Sequence, residues 1–259
     1  LIKAVNGANP RSLVPVLETL ALLGADSQPA IPAVLALKPG DDATIAAAQA
    51  RTLAAIAPDA KTVVPVLTVL ANHAAASVRA ASATAMGTYP AAAEMTVPVL
   101  VKALQDKEVS VRLAAIDALA ALGPAAKNAV AALDAAFADE QGAVTIRAAE
   151  ALTMIGAASV TTLVKRLDDA NYGELALQTL GQIGPEAAAA APNLAARLSQ
   201  PGKFSVRELC ITLAFIKADP AVAGPALQNI AQDAKNPARP AAIFALGNIG
   251  DRSALKLIT

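Results

Sequence analysis

Val111-Arg-Leu-Ala-Ala-Ile-Asp-Ala-Leu-Ala-Ala-Leu-Gly123 decides the fold. Its large apolar residues, Val111, Ile116, Leu119 and Leu122, fall near helical spacing. An alanine-rich run of this length favours helix and lacks the two-residue alternation of a strand. The glycine at its end supplies a helix stop. Upstream, Asp106-Lys-Glu-Val-Ser110 reads as a loop, and before it a helix spans roughly Pro98 to Gln105. The stretch is therefore the second helix, B, of a pair whose first helix, A, opens near Pro98.

The pattern recurs along the chain. A large residue, two mostly small ones, a second large one and then Gly or a substitute occur at Leu20–Gly24, Leu53–Ala57, Met86–Pro90 and Leu119–Gly123. The series continues at Leu152–Gly156, Leu180–Gly184, Leu213–Lys217 and Leu246–Gly250. Six of the seven intervals are 33 residues and one is 28. Periodicity of this length marks a repeat architecture rather than one large core. A second anchor keeps step: Pro32, Pro65 and Pro98 are 33 apart, as are Pro192 and Pro225. Proline is tolerated in the first helical turn, where its missing N–H has no partner anyway, so each proline is expected to open a helix A. The short interval, around Leu167–Gly173, predicts a truncated helix A or loop.

The repeat resembles the short HEAT repeats also found in phycobilisome lyases. These read as Val-Arg, five or six residues, then Ala-Leu-Gly-x-Ile-Gly. Val78-Arg79 through Met86-Gly87, Val111-Arg112 through Leu119-Ala120 and Ala238-Arg239 through Leu246-Gly247 carry the likeness. Ankyrin's Thr-Pro-Leu-His signature is absent, and six aromatic residues are too few for tetratricopeptide units. Ala46, Thr145 and Gly173 replace the arginine in three copies, and Val206-Arg207 is shifted by one. The resemblance implies an all-α, right-handed superhelix of about eight two-helix repeats, a single solenoid over residues 1–259. In it the B helices line the concave surface.

Composition narrows the function. Lys plus Arg and Asp plus Glu are 21 each, so overall charge draws in neither nucleic acid nor an anionic membrane. The longest uncharged stretch, Thr62 to Val78, contains Pro65, Asn72 and His73 and is short for a membrane span of ~20 residues. Cys210 is the single cysteine, which excludes an internal disulfide and does not locate the compartment, cytoplasmic or extracytoplasmic. It occupies a helix B core position held elsewhere by Leu17, Ile116, Leu177 and Ile243. His73, the single histidine, has no second histidine to share a metal and reads as an exposed loop residue. No catalytic constellation, cofactor motif or metal site is expected. The chain starts at Leu1 rather than Met. Residues 10–24 look like a helix B with no helix A before it, and 253–259 like a helix A with no helix B after it. It reads as a piece of a longer protein, or one whose ends meet another chain.

Two residue sets stand out. Asp106 and Asp233 each precede an arginine of the Arg79, Arg112, Arg239 series by six residues, and an Asp–Arg ladder between neighbouring loops is expected. The exposed B-helix face is expected at Glu18, Arg51, Thr84, Asp117, Glu150, Gln178, Ile211 and Phe244, and one turn on at positions such as Met154, Gln182 and Phe215. It is polar and mildly acidic around Asp117, Glu150, Gln178 and Gln182, and turns apolar at Ile211, Phe215 and Phe244. An exposed aromatic pair in a groove is a candidate anchor for a protein or peptide. The expected function is a non-catalytic scaffold or adaptor. A bilin-lyase-like or chaperone-like protein is the alternative. A HEAT-like DNA glycosylase would need a basic groove and aromatic residues that this chain lacks.

Overall fold

The computed structural model describes residues 2–38 and 40–252, which fall into two compact units divided between Ala151 and Leu152. Among the described residues there is helix and loop but no strand. The first unit holds α1 (Ile2–Gly7), α2 (Pro10–Leu23), α3 (Ile31–Leu35), α4 (Ala43–Ile56), α5 (Ala60–Leu70), α6 (Ala76–Met86), α7 (Ala93–Ala103), α8 (Val109–Leu122) and α9 (Val130–Ala135). The division falls within α10 (Gly142–Ile155). The second unit holds α11 (Val160–Arg166), α12 (Gly173–Ile183), α13 (Ala191–Arg197), α14 (Val206–Phe215), α15 (Pro220–Gln232) and α16 (Arg239–Ile249).

In each unit the B helices pack side by side, α2 on α4, α4 on α6 and α6 on α8, then α12 on α14 and α14 on α16. The A helices pack on the B helix that follows: α3 on α4, α5 on α6, α7 on α8, α11 on α12, α13 on α14 and α15 on α16. The eight periodic anchors, Leu20, Leu53, Met86, Leu119, Leu152, Leu180, Leu213 and Leu246, all have no solvent exposure. Repeat periodicity and burial are thus one fact: the anchor is the residue each B helix places on the seam.

Small residues let these helices approach closely. A Cβ added at Gly87 would stand 2.8 Å from the Ala118 Cα, so α6 and α8 meet at a point that admits no side chain. Gly247, at the same repeat position, has nothing within 4 Å. Gly87→Ala should therefore cost about 1–3 kcal/mol by overpacking, while Gly247→Ala should be neutral or stabilise by up to about 1 kcal/mol through helix propensity. Denaturant unfolding of the pair checks this; equal effects would mean helix–helix spacing is not what Gly87 protects.

The glycine stops behave as the sequence implies, and of their three substitutes, Ala57, Pro90 and Lys217, only Lys217 keeps the glycine geometry. Gly24, Gly123, Gly156, Gly184 and Gly250 all adopt positive φ, and Lys217 fills the same slot at φ 53 without being glycine. A Cβ in that region costs ~1–2 kcal/mol. The exposed Lys217 ammonium contacts the Asn248 carbonyl at 3.0 Å, a surface contact of small value. Lys217→Gly should raise stability by about 1 kcal/mol, read as a higher denaturation midpoint; a lower midpoint would assign the Asn248 contact more weight than the strain.

Two expectations need correction, and one is met in part. Pro32 and Pro192 do lie in the first turns of α3 and α13, but Pro65, Pro98 and Pro225 are the sixth residues of α5, α7 and α15. The difference lies upstream. Where Gly24 or Gly184 stops helix B, a seven-residue 3-10 run leads to the proline. At α5 and α15, Asp59 and Asp219 cap the helix and it starts five residues earlier. All five prolines are exposed, so the carbonyl that a mid-helix proline leaves unbonded can face water. Second, the short repeat does have a shortened loop, as expected, but helix A is not truncated: α11 has seven residues, as α13 has. Against the following repeat the deficit lies in the 3-10 run, four residues rather than seven, and in the loop to helix B, 167–172 rather than 198–205. Third, α2 does have a helix before it, since α1 packs on α2 and α3. The expectation for 253–259 lies outside the described residues.

Two continuous helical runs, Val109–Ala138 and Gly142–Arg166, are long and apolar enough to cross a membrane by length and composition. Both are broken by 3-10 turns at a positive-φ glycine, Gly123 and Gly156. No single α-helix among the described residues exceeds 14 residues, about 21 Å of rise against the ~30 Å of a bilayer core.

Candidate functional site

The loops joining A to B carry an ion-pair ladder in the first unit. Arg79 grips Asp106 with two parallel bonds, Nε to Oδ2 at 2.6 Å and Nη2 to Oδ1 at 2.8 Å. Arg112 grips Asp139 the same way, at 2.7 and 2.9 Å. Their remaining Nη1 groups donate to carbonyls of their own loops, Arg79 to His73 and Ala74, Arg112 to Asp106 and Lys107. The side chains are only 11–14% exposed, and their donors and acceptors are satisfied, as partly buried charge requires. Each aspartate thus joins its side chain to the previous repeat's arginine, 27 residues back. The six-residue spacing seen in the sequence reflects a main-chain bond instead: the Asp106 carbonyl accepts from Arg112. Asp139 was not singled out by that spacing, though it lies 27 residues after Arg112. Asp233 accepts from the Lys235 N–H, and Arg239 donates to the Ala231 carbonyl.

His73 belongs to the same series. Gly40, His73, Asp106 and Asp139 are spaced by 33. His73 Nδ1 accepts from the Ala75 N–H, as Asp106 accepts from Glu108 and Asp139 from Gln141. Its Nε2 then carries the proton toward the Gly40 carbonyl, at 3.3 Å. The preceding helix B has Ala46 where an arginine would pair with an aspartate. An imidazole fills the place, one ring nitrogen meeting the Ala75 N–H and the other the Gly40 carbonyl, where an aspartate would have no arginine to meet. His73 is half-buried rather than the exposed residue expected. Cys210 is buried, and desolvation pushes its thiol up to about 11.

On the B-helix face, Ile211 is partly exposed and the ten other positions named from the sequence are exposed. The structure distributes the candidate residues among three places. In the first unit Asp117 and Glu150 flank Arg147, whose guanidinium lies 3.5 Å from Asp117 and 3.1 Å from Glu150, so the expected acidic patch is partly neutralised. Phe244 stands on α16, 47% exposed. In the second unit Gln178, Gln182, Ile211 and Phe215 converge on one groove of about 740 Å3 between α12 and α14.

The groove has a defined register. The position of a Cβ at Gly181 lies 3.8 Å from both Phe215 and Thr212, so the C-terminal halves of α12 and α14 run together. Glu174 precedes Gly181 by seven residues and Glu208 precedes Phe215 by seven, which puts both carboxylates at the same end. Leu175 and Leu177 supply apolar floor. No lysine or arginine is among its lining residues. Glu174 and Glu208 were missed in the sequence, although Glu174 lies one helical turn before Gln178 and Glu208 three residues before Ile211. Both sit in first turns, where a carboxylate suits the helix N-terminus, and Glu208 also accepts from the Ser205 N–H in a capping box, so their place at a helix start explains them until the groove is seen.

Comparisons place the chain among known proteins. No curated protein matches it. Among solved structures it is similar to an engineered protein at 22% identity, covering 96% of this chain and 77% of that one, with a TM-score of 0.56. It is similar to YibA of Escherichia coli at 16% identity, covering 96% and 91%, with a TM-score of 0.52. It is also similar to the karyopherin Kap121p, solved bound to the extreme C-terminus of the protein phosphatase Cdc14p. There the identity is 11%, the coverage 96% and 33%, and the TM-score 0.55. At these identities the likeness shows the fold. A family model described as HEAT repeats matches residues 64–153 and, in an overlapping second placement, 97–176. The match spans less than half of the chain, and the same 33-residue unit continues on both sides of it, so the matched residues are similar to HEAT repeats and their neighbours keep the period.

Proposed function

We propose that this chain is a non-catalytic scaffold that holds a segment of another protein on its B-helix face, with the groove between α12 and α14 as the seat. The observation that carries the reading is Phe215. Phe137 and Phe204 are buried, 0% and 4% exposed, whereas Phe215 leaves half its surface in water beside Ile211, over a groove of peptide-sized volume. Exposed aromatic area in a concave, partly polar setting is the composition of a binding hot spot. Phe244 on the next B helix extends the apolar surface. The non-catalytic reading is supported by the use made of the two most reactive side chains. The Cys210 thiol is buried and protonated, and both ring nitrogens of His73 are engaged by the backbone. Carboxylates without a lysine or arginine in the groove favour protein over nucleic acid.

The test compares captured partners and melting for wild type, Phe215→Ser, Phe244→Ser and Gly181→Leu, which fills the groove without removing a contact. The reading expects near-unchanged melting in all four and loss of the same captured protein in Phe215→Ser and Gly181→Leu. Loss in Phe244→Ser as well would extend the seat to α16. Capture that survives the groove-filling substitution refutes the seat.

A further inference from the structure

The groove's side chains are spaced for an extended backbone. Gln178 and Gln182 are four residues apart on α12, and Ile211 and Phe215 four apart on α14. Four helical residues rise about 6.0 Å, and two residues of an extended chain advance about 6.6 Å. A strand-like segment laid along the groove therefore meets one amide on one wall, and one apolar contact on the other, at every second residue. A glutamine side chain carries a carbonyl and an NH2, the same complement as a peptide unit, so it can accept from a backbone N–H and donate to a backbone C=O. A helical segment satisfies those groups internally and offers the amides little. One turn before Gln178 the series ends at Glu174, with Glu208 beside it at the same end and no lysine or arginine in the lining. Two carboxylates there favour a cation.

Resting on the peptide-seat reading above, we infer that the occupant is an extended segment with two apolar side chains at alternate positions. A Lys or Arg stands two residues beyond them, toward Glu174 and Glu208. The amides bind its main chain, Ile211 and Phe215 take its apolar side chains, and the carboxylates set its direction.

The experiment titrates the full chain with fluorescein-labelled synthetic octapeptides centred on Lys-Ser-Leu-Ser-Leu and on the reverse order. Companions carry Glu for Lys, adjacent rather than alternate leucines, N-methylated backbone at the serines, or a hydrocarbon staple that fixes a helix. The inference expects one of the two orders to bind, about tenfold weaker on N-methylation and about three- to tenfold weaker with Glu for Lys. Glu174→Gln with Glu208→Gln, which leaves a capping-competent side chain in place, should erase the preference for Lys over Glu. Gln178→Ala with Gln182→Ala should erase the sensitivity to N-methylation. Tighter binding of the stapled or the Glu-bearing peptide, abolished by Phe215→Ser, overturns this inference and leaves the seat intact. No binding of any peptide overturns it as well. Binding that persists in Phe215→Ser overturns both.

Discussion

Asp139→Ala is expected to destabilise the first unit by ~3 kcal/mol, in the range for removing one partner of a buried pair. The substitution leaves the Arg112 Nε and Nη2, 14% exposed, without the two oxygens they donate to, and it removes the acceptor for the Gln141 N–H. Replacing the pair together, Arg112→Met with Asp139→Leu, should cost much less, because no charge is then stranded. Acid should act as the single substitution does. Hydrogen bonding to the Arg79 guanidinium holds the Asp106 carboxyl below its ordinary value against the opposing effect of burial. Burial pushes Asp139 up, but its bonds to Arg112 and the Gln141 N–H together outweigh it, and it too ends low. A carboxyl with a lowered folded-state pKa contributes its full stability above the unfolded value, about pH 4. That contribution is lost as the pH falls from there through the folded value. Denaturant unfolding at pH 7 and pH 3, with hydrogen exchange of the α8 amides as the local readout, checks both effects. Stability of Asp139→Ala that matches wild type at pH 7 would reduce the ladder to a surface contact.

The ladder also shows what the sequence could and could not reveal. Period, helix identity and facing were legible because they depend on residue type at fixed spacing: Leu119 and its seven counterparts repeat, and each is buried. Pairing was not. Asp106 sits six residues before Arg112 and 27 after Arg79, and only the turn of the chain between α7 and α8 makes the longer separation the side-chain contact. Proline settings were misread for a related reason. Pro32 and Pro65 share a spacing, but whether the residues before them form a 3-10 run or α-helix depends on a glycine stop or an Asp59 cap. At the candidate site, exposure of Gln178, Gln182 and Phe215 followed from helical facing. The groove did not, because its width depends on the approach of α12 to α14 at Gly181.

Phenylalanine offers the sharpest test of which apolar residues are core and which are surface. Phe137, in the 3-10 turn after α9, has no exposure, and its truncation to Ala should cost ~3–5 kcal/mol, transfer and cavity terms together. Phe204 is buried under the Arg197 guanidinium and Lys203 ammonium, 5.8 and 5.5 Å from its ring, and is likewise committed to structure. Phe215 is already 52% exposed, so Phe215→Ala should cost under about 1 kcal/mol. Because repeat units unfold with some independence, each variant should be read by hydrogen exchange in its own unit as well as by global denaturation. A large gap between Phe137→Ala and Phe215→Ala means that Phe215 adds little to folding, which leaves its ring available to a partner. Equal costs would make Phe215 the floor of the second unit's core, and the groove beside it would lose its anchor.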